Sequence, residues 1–151
     1  MTICIVDTSI LVELLNFRGL ASNHEGVVDE FAKRQQAGEE FLLPLAVLVE
    51  TGNHVAHIPD GAARRRSADD FIRFASASLG GELPFTPTPL PATADIAAWL
   101  SDFPDHAMRG IGLADRSLIA LWETHRQLHP QRRIYLWSQD RELACYDTET
   151  R

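Results

Sequence analysis

Four acidic residues stand out because each lies just past an apolar segment or early in the helix that follows one. They are Asp7, Glu50, Asp115 and Asp140. In a doubly wound parallel sheet, such positions converge on the edge where the strands end. Carboxylates gathered in one cleft repel one another unless a cation neutralises them. Because hard oxygen ligands suit Mg²⁺ and Mn²⁺, the sequence predicts a divalent-metal site at this edge.

Ions of this kind polarise a phosphoryl oxygen and activate water. The chemistry that fits such a site is therefore the hydrolysis of a phosphodiester bond. The motifs contain no convincing Cys–His or Ser–His pair, so a covalent intermediate on a side chain is not expected.

Four short apolar segments are predicted to be the strands that position the acids. They are residues 3–6, 41–44, 83–87 and 133–138. The fully apolar first segment is typical of a strand buried on both faces, and prolines confine the third to a sheet edge. If the chain winds outward from strand one to strands two and three and then returns, strands one and four are neighbours. Asp7 and Asp140 would then flank the switch point.

Helices are predicted between and after these strands. Their ranges are 9–16, 22–38, 45–58, 60–79, 93–103, 113–128 and 140–145, with a loop at 104–112. Thr8 or Ser9 is expected to cap the first helix, with Asp7 itself as the alternative cap. Ile72 is assigned to the core face of the fourth helix, and Trp99, Trp122 and Trp137 are assigned to the core. Alternating strands and helices predict a single α/β domain over residues 1–151, with a parallel sheet between helices in a three-layer α/β/α sandwich.

The acidic segments resemble a known family. IVDTSILV at 5–12, LVE at 48–50, ADRSLIA at 114–120 and LWSQDREL at 136–143 are similar to the acidic motifs of PIN-domain ribonucleases. Their order and spacing match across essentially the whole chain. The largest subgroup of small, single-domain members is the VapC-type toxins.

The resemblance implies a five-stranded parallel sheet and cleavage of single-stranded RNA with Mg²⁺ or Mn²⁺. A final strand is hard to find after Tyr146, so we expect either four strands and a stub or five strands. The resemblance makes the four acids the metal ligands and Ser138 a hydrogen-bond partner of a ligand or of a metal water, with Thr8 in support. It also implies an RNA substrate, an antitoxin partner and a homodimer.

Several other residues have two interpretations. Arg116, Arg64 and Arg65, with Arg66, could contact RNA phosphates, although a run of arginines usually forms a solvated helix face. His54 follows Glu50 by four residues and shares its helical face, but no further Cys or His completes a transition-metal site. Three further acids near the motifs are interpreted as surface residues that could at most assist a second ion. They are Glu13, Glu142 and Asp147.

Three other functions fit part of this sequence pattern. A non-catalytic PIN-like scaffold that binds RNA or a protein is the main alternative. A phosphoacceptor receiver domain needs a lysine after a late strand, but the only lysine is Lys33 in the second helix. A haloacid-dehalogenase-like phosphatase needs a second aspartate at the position that Ser9 occupies.

The composition favours a cytoplasmic enzyme. The net charge of −7 argues against a general nucleic-acid coat protein. No apolar run approaches the roughly 18 residues of a membrane helix, and no export signal is recognised at the N-terminus. Cys4 and Cys145 are therefore expected to be reduced thiols.

Overall fold

The computed structural model describes residues 1–149, which form a four-stranded parallel sheet. The strands are β1 (Ile3–Val6), β2 (Glu40–Leu43), β3 (Phe85–Pro87) and β4 (Ile134–Trp137), in the order β3-β2-β1-β4. The predicted adjacency of the first and fourth strands is confirmed. The proline-containing strand β3 lies at an edge, as predicted, because proline has no N–H to donate to a neighbouring strand.

Seven helices flank this sheet within the described residues. They are α1 (Thr8–Leu14), α2 (His24–Gln36), α3 (Leu45–Ala56), α4 (Gly61–Leu79), α5 (Thr93–Met108), α6 (Leu113–Leu128) and α7 (Arg141–Ala144). Within residues 1–149, the structure contains no helix that combines the length and the apolar character needed to span a membrane.

The core forms around two neighbouring strands, because all four residues of β1 and all four of β4 are buried. Cys4 and Ile5 of β1 are fully inaccessible to solvent. Trp122 of α6 packs into the same core and donates a 2.9 Å hydrogen bond from Nε1 to the carbonyl of Ile134 in β4. Full burial of one large apolar side chain stabilises a fold by about 1.5–3 kcal/mol. The most buried strands are therefore the two that carry Asp7 and Asp140 at their ends.

Helix α5 differs from the prediction, because residues 104–108 of the predicted loop are helical and Pro104 lies inside the helix. Proline removes the hydrogen bond to the carbonyl of Leu100. No residue of α5 is buried, so water can satisfy that carbonyl. The assignment of Trp99 to the core is also wrong, because its side chain is only half-buried on this surface helix. Ile72 of α4, assigned to the core, is 60% exposed.

The segment after α7 turns back along the free edge of β4. The Leu136 N–H donates to the carbonyl of Tyr146 at 2.9 Å, and the Thr148 N–H donates to the carbonyl of Ile134 at 3.1 Å. Tyr135 and Asp147 form an isolated antiparallel bridge. The sheet therefore has four strands and a stub, the first of the two predicted forms, and the stub covers part of an edge that could otherwise pair with another chain.

Candidate active site

The four acids named from the sequence line a single cleft of about 320 Å³ beside the carboxyl ends of β1 and β4. Five acidic side chains contribute to its lining: Asp7, Glu13, Glu50, Asp115 and Asp140. They come from the end of β1, from α1, α3 and α6, and from the segment after β4. The topology thus brings together residues that are up to 133 positions apart, the separation of Asp7 and Asp140.

Asp7 lies at the centre of the cleft wall and is 5% exposed. Its Oδ2 accepts hydrogen bonds from the backbone N–H of Ser9 at 3.3 Å and from the Ser9 hydroxyl at 2.7 Å. Asp7 is therefore the N-cap of α1, which is the alternative to Thr8 or Ser9 that the sequence left open. Because the carboxylate accepts the orphan N–H at the helix N-terminus, one residue caps the helix and also lines the cleft.

Ser138 connects the ends of the neighbouring strands β1 and β4. Its hydroxyl donates to Asp7 Oδ2 at 2.7 Å and accepts from the backbone N–H of Asp140 at 3.0 Å. The backbone N–H of Gln139 donates to the Ser9 hydroxyl at 3.0 Å. These bonds fix the segment after β4 against the start of α1. All the hydrogen bonds to Asp7 from side chains of the described part of the chain fall on Oδ2, and none falls on Oδ1.

Glu50 projects from α3 into the cleft and keeps 38% of its side chain exposed. The Thr8 hydroxyl donates to Glu50 Oε2 at 3.3 Å, so Thr8 links α1 to α3 across the cleft. His54 also lines the cleft, with Nε2 3.8 Å from Glu50 Oε1. Thr8 thus contacts an acid of the site directly.

Asp115 lies in the first turn of α6, two residues into the helix. Burial and, after it, the negative charges of Asp7, Glu50 and Asp140 together raise the pKa of this carboxyl to about 6, against a lowering hydrogen bond from the Gly112 backbone. The pKa of Asp115 therefore depends on the charges of all three other acids. This electrostatic coupling is the repulsion that the sequence predicts for carboxylates gathered in one cleft.

Asp140 is the N-cap of α7, since its Oδ1 accepts from the backbone N–H of Glu142 at 2.9 Å. Asp140 is exposed and lies at the outer end of the cleft lining. Glu142, interpreted from the sequence as a surface residue, is exposed as well.

Glu13 is an acid that the sequence interpretation placed wrongly on the surface. It is 1% exposed and lines the cleft from α1. Its carboxylate accepts from the backbone N–H groups of Ser22 at 2.9 Å and Asn23 at 2.8 Å, from the Ser22 hydroxyl at 3.0 Å, and from Gln139 Nε2 at 3.4 Å. Although burial raises the pKa of Glu13, these hydrogen bonds lower it below its usual value. The carboxylate is therefore held charged just ahead of α2.

Two of the predicted RNA-contacting residues, Arg116 and Arg64, have partners within the protein. The Arg116 side chain is 9% exposed and makes a bidentate ion pair with Asp102 of α5, with both bonds at 2.8 Å. Arg64 donates to the carbonyls of Ile58 at 2.7 Å and Pro59 at 3.1 Å, just past the end of α3. Both guanidinium groups therefore act within the protein.

Arg65 remains available to a ligand. Its side chain is 81% exposed, and its Nε lies 3.3 Å from Asp69 Oδ2 on the same helix. A single exposed pair of this kind contributes little to stability. No residue of α4 lines the acidic cleft, so Arg65 could reach only a part of a ligand that extends beyond it.

The chemistry of the lining residues fits a hard divalent cation, since carboxylate oxygens dominate and Asp115 carries an elevated pKa. The side chains are not arranged as a completed coordination shell: among residues 1–149, no three His, Cys, Asp or Glu side chains are grouped closely enough to hold one ion. A cation would therefore have to draw the carboxylates together, most of all the exposed Glu50 and Asp140.

Comparison with known proteins gives the fold. No family model matches the chain, and no curated protein matches it. The crystal structure of FitAcB from Neisseria gonorrhoeae aligns with 95% of this chain and 91% of that chain, at 18% identity and a TM-score of 0.57. Together with the strand order, this likeness shows that the chain has a PIN-like α/β/α fold, as the sequence predicted.

Proposed function

We propose that this protein is a metal-dependent endoribonuclease that hydrolyses phosphodiester bonds of single-stranded RNA. The observation that carries the proposal is the gathering of Asp7, Glu50, Asp115 and Asp140 around one cleft, where their charges raise the pKa of Asp115. We assign these four residues as the ligands of Mg²⁺ or Mn²⁺. Such an ion supplies Lewis-acid activation of the phosphoryl group and of water.

The residues of the chain contribute position and charge to this reaction. Ser9 and Ser138 hold Oδ2 of Asp7 from two sides, which leaves Oδ1 as the oxygen for a ligand. Thr8 orients Glu50 in the same way through Oε2. Partners of this kind fix the direction of a ligand's lone pairs and are commonly worth a factor of about 10–100 in metal affinity.

Single-stranded RNA is the substrate that suits this cleft. Its lining carries five carboxylates, so a rigid duplex that brings many phosphates near it would be repelled. A flexible strand can place one phosphate inside while its neighbours stay outside, near exposed cations such as Arg65.

We further propose that the protein is the toxin of a toxin–antitoxin pair and acts in the cytoplasm. The resemblance of its acidic motifs to VapC-type toxins and the likeness of its fold to FitAcB support this assignment. The exposed apolar side chains of α5 support the binding of a protein partner at this helix. Ile96 is 39% exposed and Leu100 is 52% exposed, and no residue of the helix is buried. We propose a second copy of this chain as the partner at α5, and an antitoxin as a further partner.

A non-catalytic PIN-like scaffold is the competing function. The absence from residues 1–149 of three side chains grouped for one ion is the observation that favours it. A direct titration with Mn²⁺ separates the two: the nuclease binds the ion and cleaves mixed RNA, whereas the scaffold does neither. The assay compares Mn²⁺, Mg²⁺ and chelator on the same RNA. Equal cleavage with and without chelator would exclude the metal-dependent reaction.

A further inference from the structure

The acidic cleft needs a cation at its rim if a phosphodiester strand is to approach it. Its lining contains five carboxylates, and its single basic side chain among the described residues is the imidazole of His54. Two of the arginines expected to supply positive charge, Arg116 and Arg64, are bonded within the protein. Arg65 is exposed but lies on α4, which does not line the cleft, so a cation close to the site would have to come from another element.

Arg109 lies in the connection that leads from α5 to Asp115. The turn around it is well defined: the Arg109 and Ile111 N–H groups both donate to the carbonyl of His106, at 2.9 and 3.0 Å, and Ile111 is 2% exposed. Gly110 between them has φ +77°, a conformation that glycine adopts without steric cost. The backbone that carries Arg109 is thus fixed relative to α6.

The side chain of Arg109 extends to α7. Its Nη2 lies 3.7 Å from Oε2 of Glu142, which follows Asp140 by two residues in α7. The pair therefore connects the α6 side of the site, which carries Asp115, with the α7 side, which carries Asp140. Both side chains are more than half exposed, at 54% and 57%.

We propose that Arg109 binds a phosphate of the RNA strand next to the bond that is cleaved, and that this phosphate replaces Glu142 as its partner. This inference rests on the proposed ribonuclease function and names the residue that receives the substrate backbone. In the absence of RNA, Glu142 is the partner of the Arg109 guanidinium. When RNA binds, the Glu142 carboxylate competes with the phosphate for that guanidinium.

Replacing Glu142 by a phosphate as the partner of Arg109 costs little free energy. At 3.7 Å the two groups are beyond hydrogen-bonding distance, and an exposed pair of this kind contributes almost nothing to stability. A phosphate offers the guanidinium a bidentate, charge-assisted partner instead. Arginine is well suited to this role, since its planar fork matches phosphate geometry.

The test measures binding of a fluorescein-labelled, mixed-sequence, single-stranded RNA oligonucleotide in Mn²⁺, with Asp7→Asn as the background that prevents cleavage. In that background Arg109→Gln should weaken binding about two- to fivefold, the range expected for one exposed ion pair. It should also reduce the slope of log affinity against log salt by about 0.7. Glu142→Gln should act in the opposite direction and strengthen binding.

Arg73→Gln is the matched control. Arg73 is 72% exposed and pairs with Asp70 on α4, a helix that does not line the cleft. Its loss should leave RNA affinity unchanged. In the cleavage assay Arg109→Gln should raise KM and leave kcat nearly unchanged, since it removes a binding contact and no acid.

The outcomes distinguish this inference from the function on which it rests. If wild-type protein cleaves RNA, and Arg109→Gln in the Asp7→Asn background matches Asp7→Asn alone in affinity and salt slope, the role of Arg109 is overturned and the nuclease stands. A lower affinity in Glu142→Gln would also overturn it. Wild-type protein that neither binds nor cleaves RNA would overturn the proposed function, and the role of Arg109 with it.

Discussion

The Ser138 hydroxyl donates a 2.7 Å hydrogen bond to Asp7 Oδ2 and so joins the ends of β1 and β4, two neighbouring strands of the sheet. The same oxygen of Asp7 also accepts from Ser9. An acid held by two hydroxyl groups has one oxygen fixed by the protein and the other left for a ligand. This arrangement makes Ser138 the first residue to test outside the four acids.

Ser138→Ala should weaken Mn²⁺ binding by a factor of about 10 or more, since it removes a partner that orients a proposed ligand. Isothermal titration calorimetry measures the affinity. Ser138→Thr keeps the hydroxyl and should restore binding. Ser101→Ala removes a hydroxyl bonded to the carbonyl of Ala98 in α5 and serves as the control. Equal affinity in Ser138→Ala and wild type would contradict the proposed role.

Repulsion among the acids should make the metal-free site a weak point of the fold. The variant with Asp7→Asn, Glu50→Gln, Asp115→Asn and Asp140→Asn together should melt at a higher temperature than wild type in chelator. Asparagine caps helices about as well as aspartate, so the caps at α1 and α7 are kept. Thermal unfolding followed by circular dichroism provides the test. A lower Tm for the variant would argue against the clustered-acid site.

Mn²⁺ should raise the Tm of wild type and leave that of the four-site variant unchanged. An ion that binds only the folded state stabilises it by about 2.7 kcal/mol when its concentration is 100 times Kd. The same unfolding measurement, repeated over a series of Mn²⁺ concentrations, checks this. A shift of equal size in both proteins would place the ion elsewhere.

The pKa of Asp115 predicts an unusual dependence of stability on pH. Folding raises this pKa from its ordinary 3.8 to about 6, so the folded state binds the proton more tightly than the unfolded state. The contribution of Asp115 is therefore present below pH 4 and is lost as pH rises towards 6. In chelator, Asp115→Asn should gain stability relative to wild type over this interval, as measured by urea unfolding. A constant difference from pH 4 to 7 would refute the raised pKa.

Glu13→Gln should destabilise the protein by about 1–3 kcal/mol, because a buried charged acceptor loses its charge while its donors remain. Its lowered pKa means that the stabilisation is present above pH 4.5 and is lost as pH falls through the folded-state pKa. Urea unfolding at neutral pH measures the loss. Glu25→Gln changes an exposed acid in the first turn of α2 and should have a much smaller effect. Equal effects of the two substitutions would rule out a stabilising role of Glu13 as the acceptor for the Ser22 and Asn23 N–H groups.

Asp102→Asn should lower Tm without changing KM for RNA. The substitution leaves the Arg116 guanidinium, which is almost fully buried, with a weaker partner on α5. Thermal unfolding and steady-state cleavage measure the two effects separately. A large rise in KM with unchanged Tm would indicate that Arg116 contacts the RNA substrate.

The sequence was sufficient for the sheet order and for four of the five acids of the cleft, because both depend on local patterns. A buried apolar strand followed by Asp7, and another followed by Ser138 and Asp140, are visible in short windows. The roles of Glu13 and Arg116 were not visible there. Glu13 is buried because the chain turns back at Ser22 and Asn23, and Arg116 because α5 presents Asp102 to it. Both depend on how helices pack, which the spacing of residues along one helix does not reveal.

The end groups of the cleavage products test the central claim most directly. Wild type with Mn²⁺ should release RNA fragments with a 5′-phosphate and a 3′-hydroxyl, as expected when activated water attacks the phosphorus. Mass spectrometry identifies these ends, and Asp7→Asn should yield almost no product under the same conditions. A 2′,3′-cyclic phosphate would contradict water as the nucleophile. Full activity in Asp7→Asn would remove the acidic cleft from the reaction.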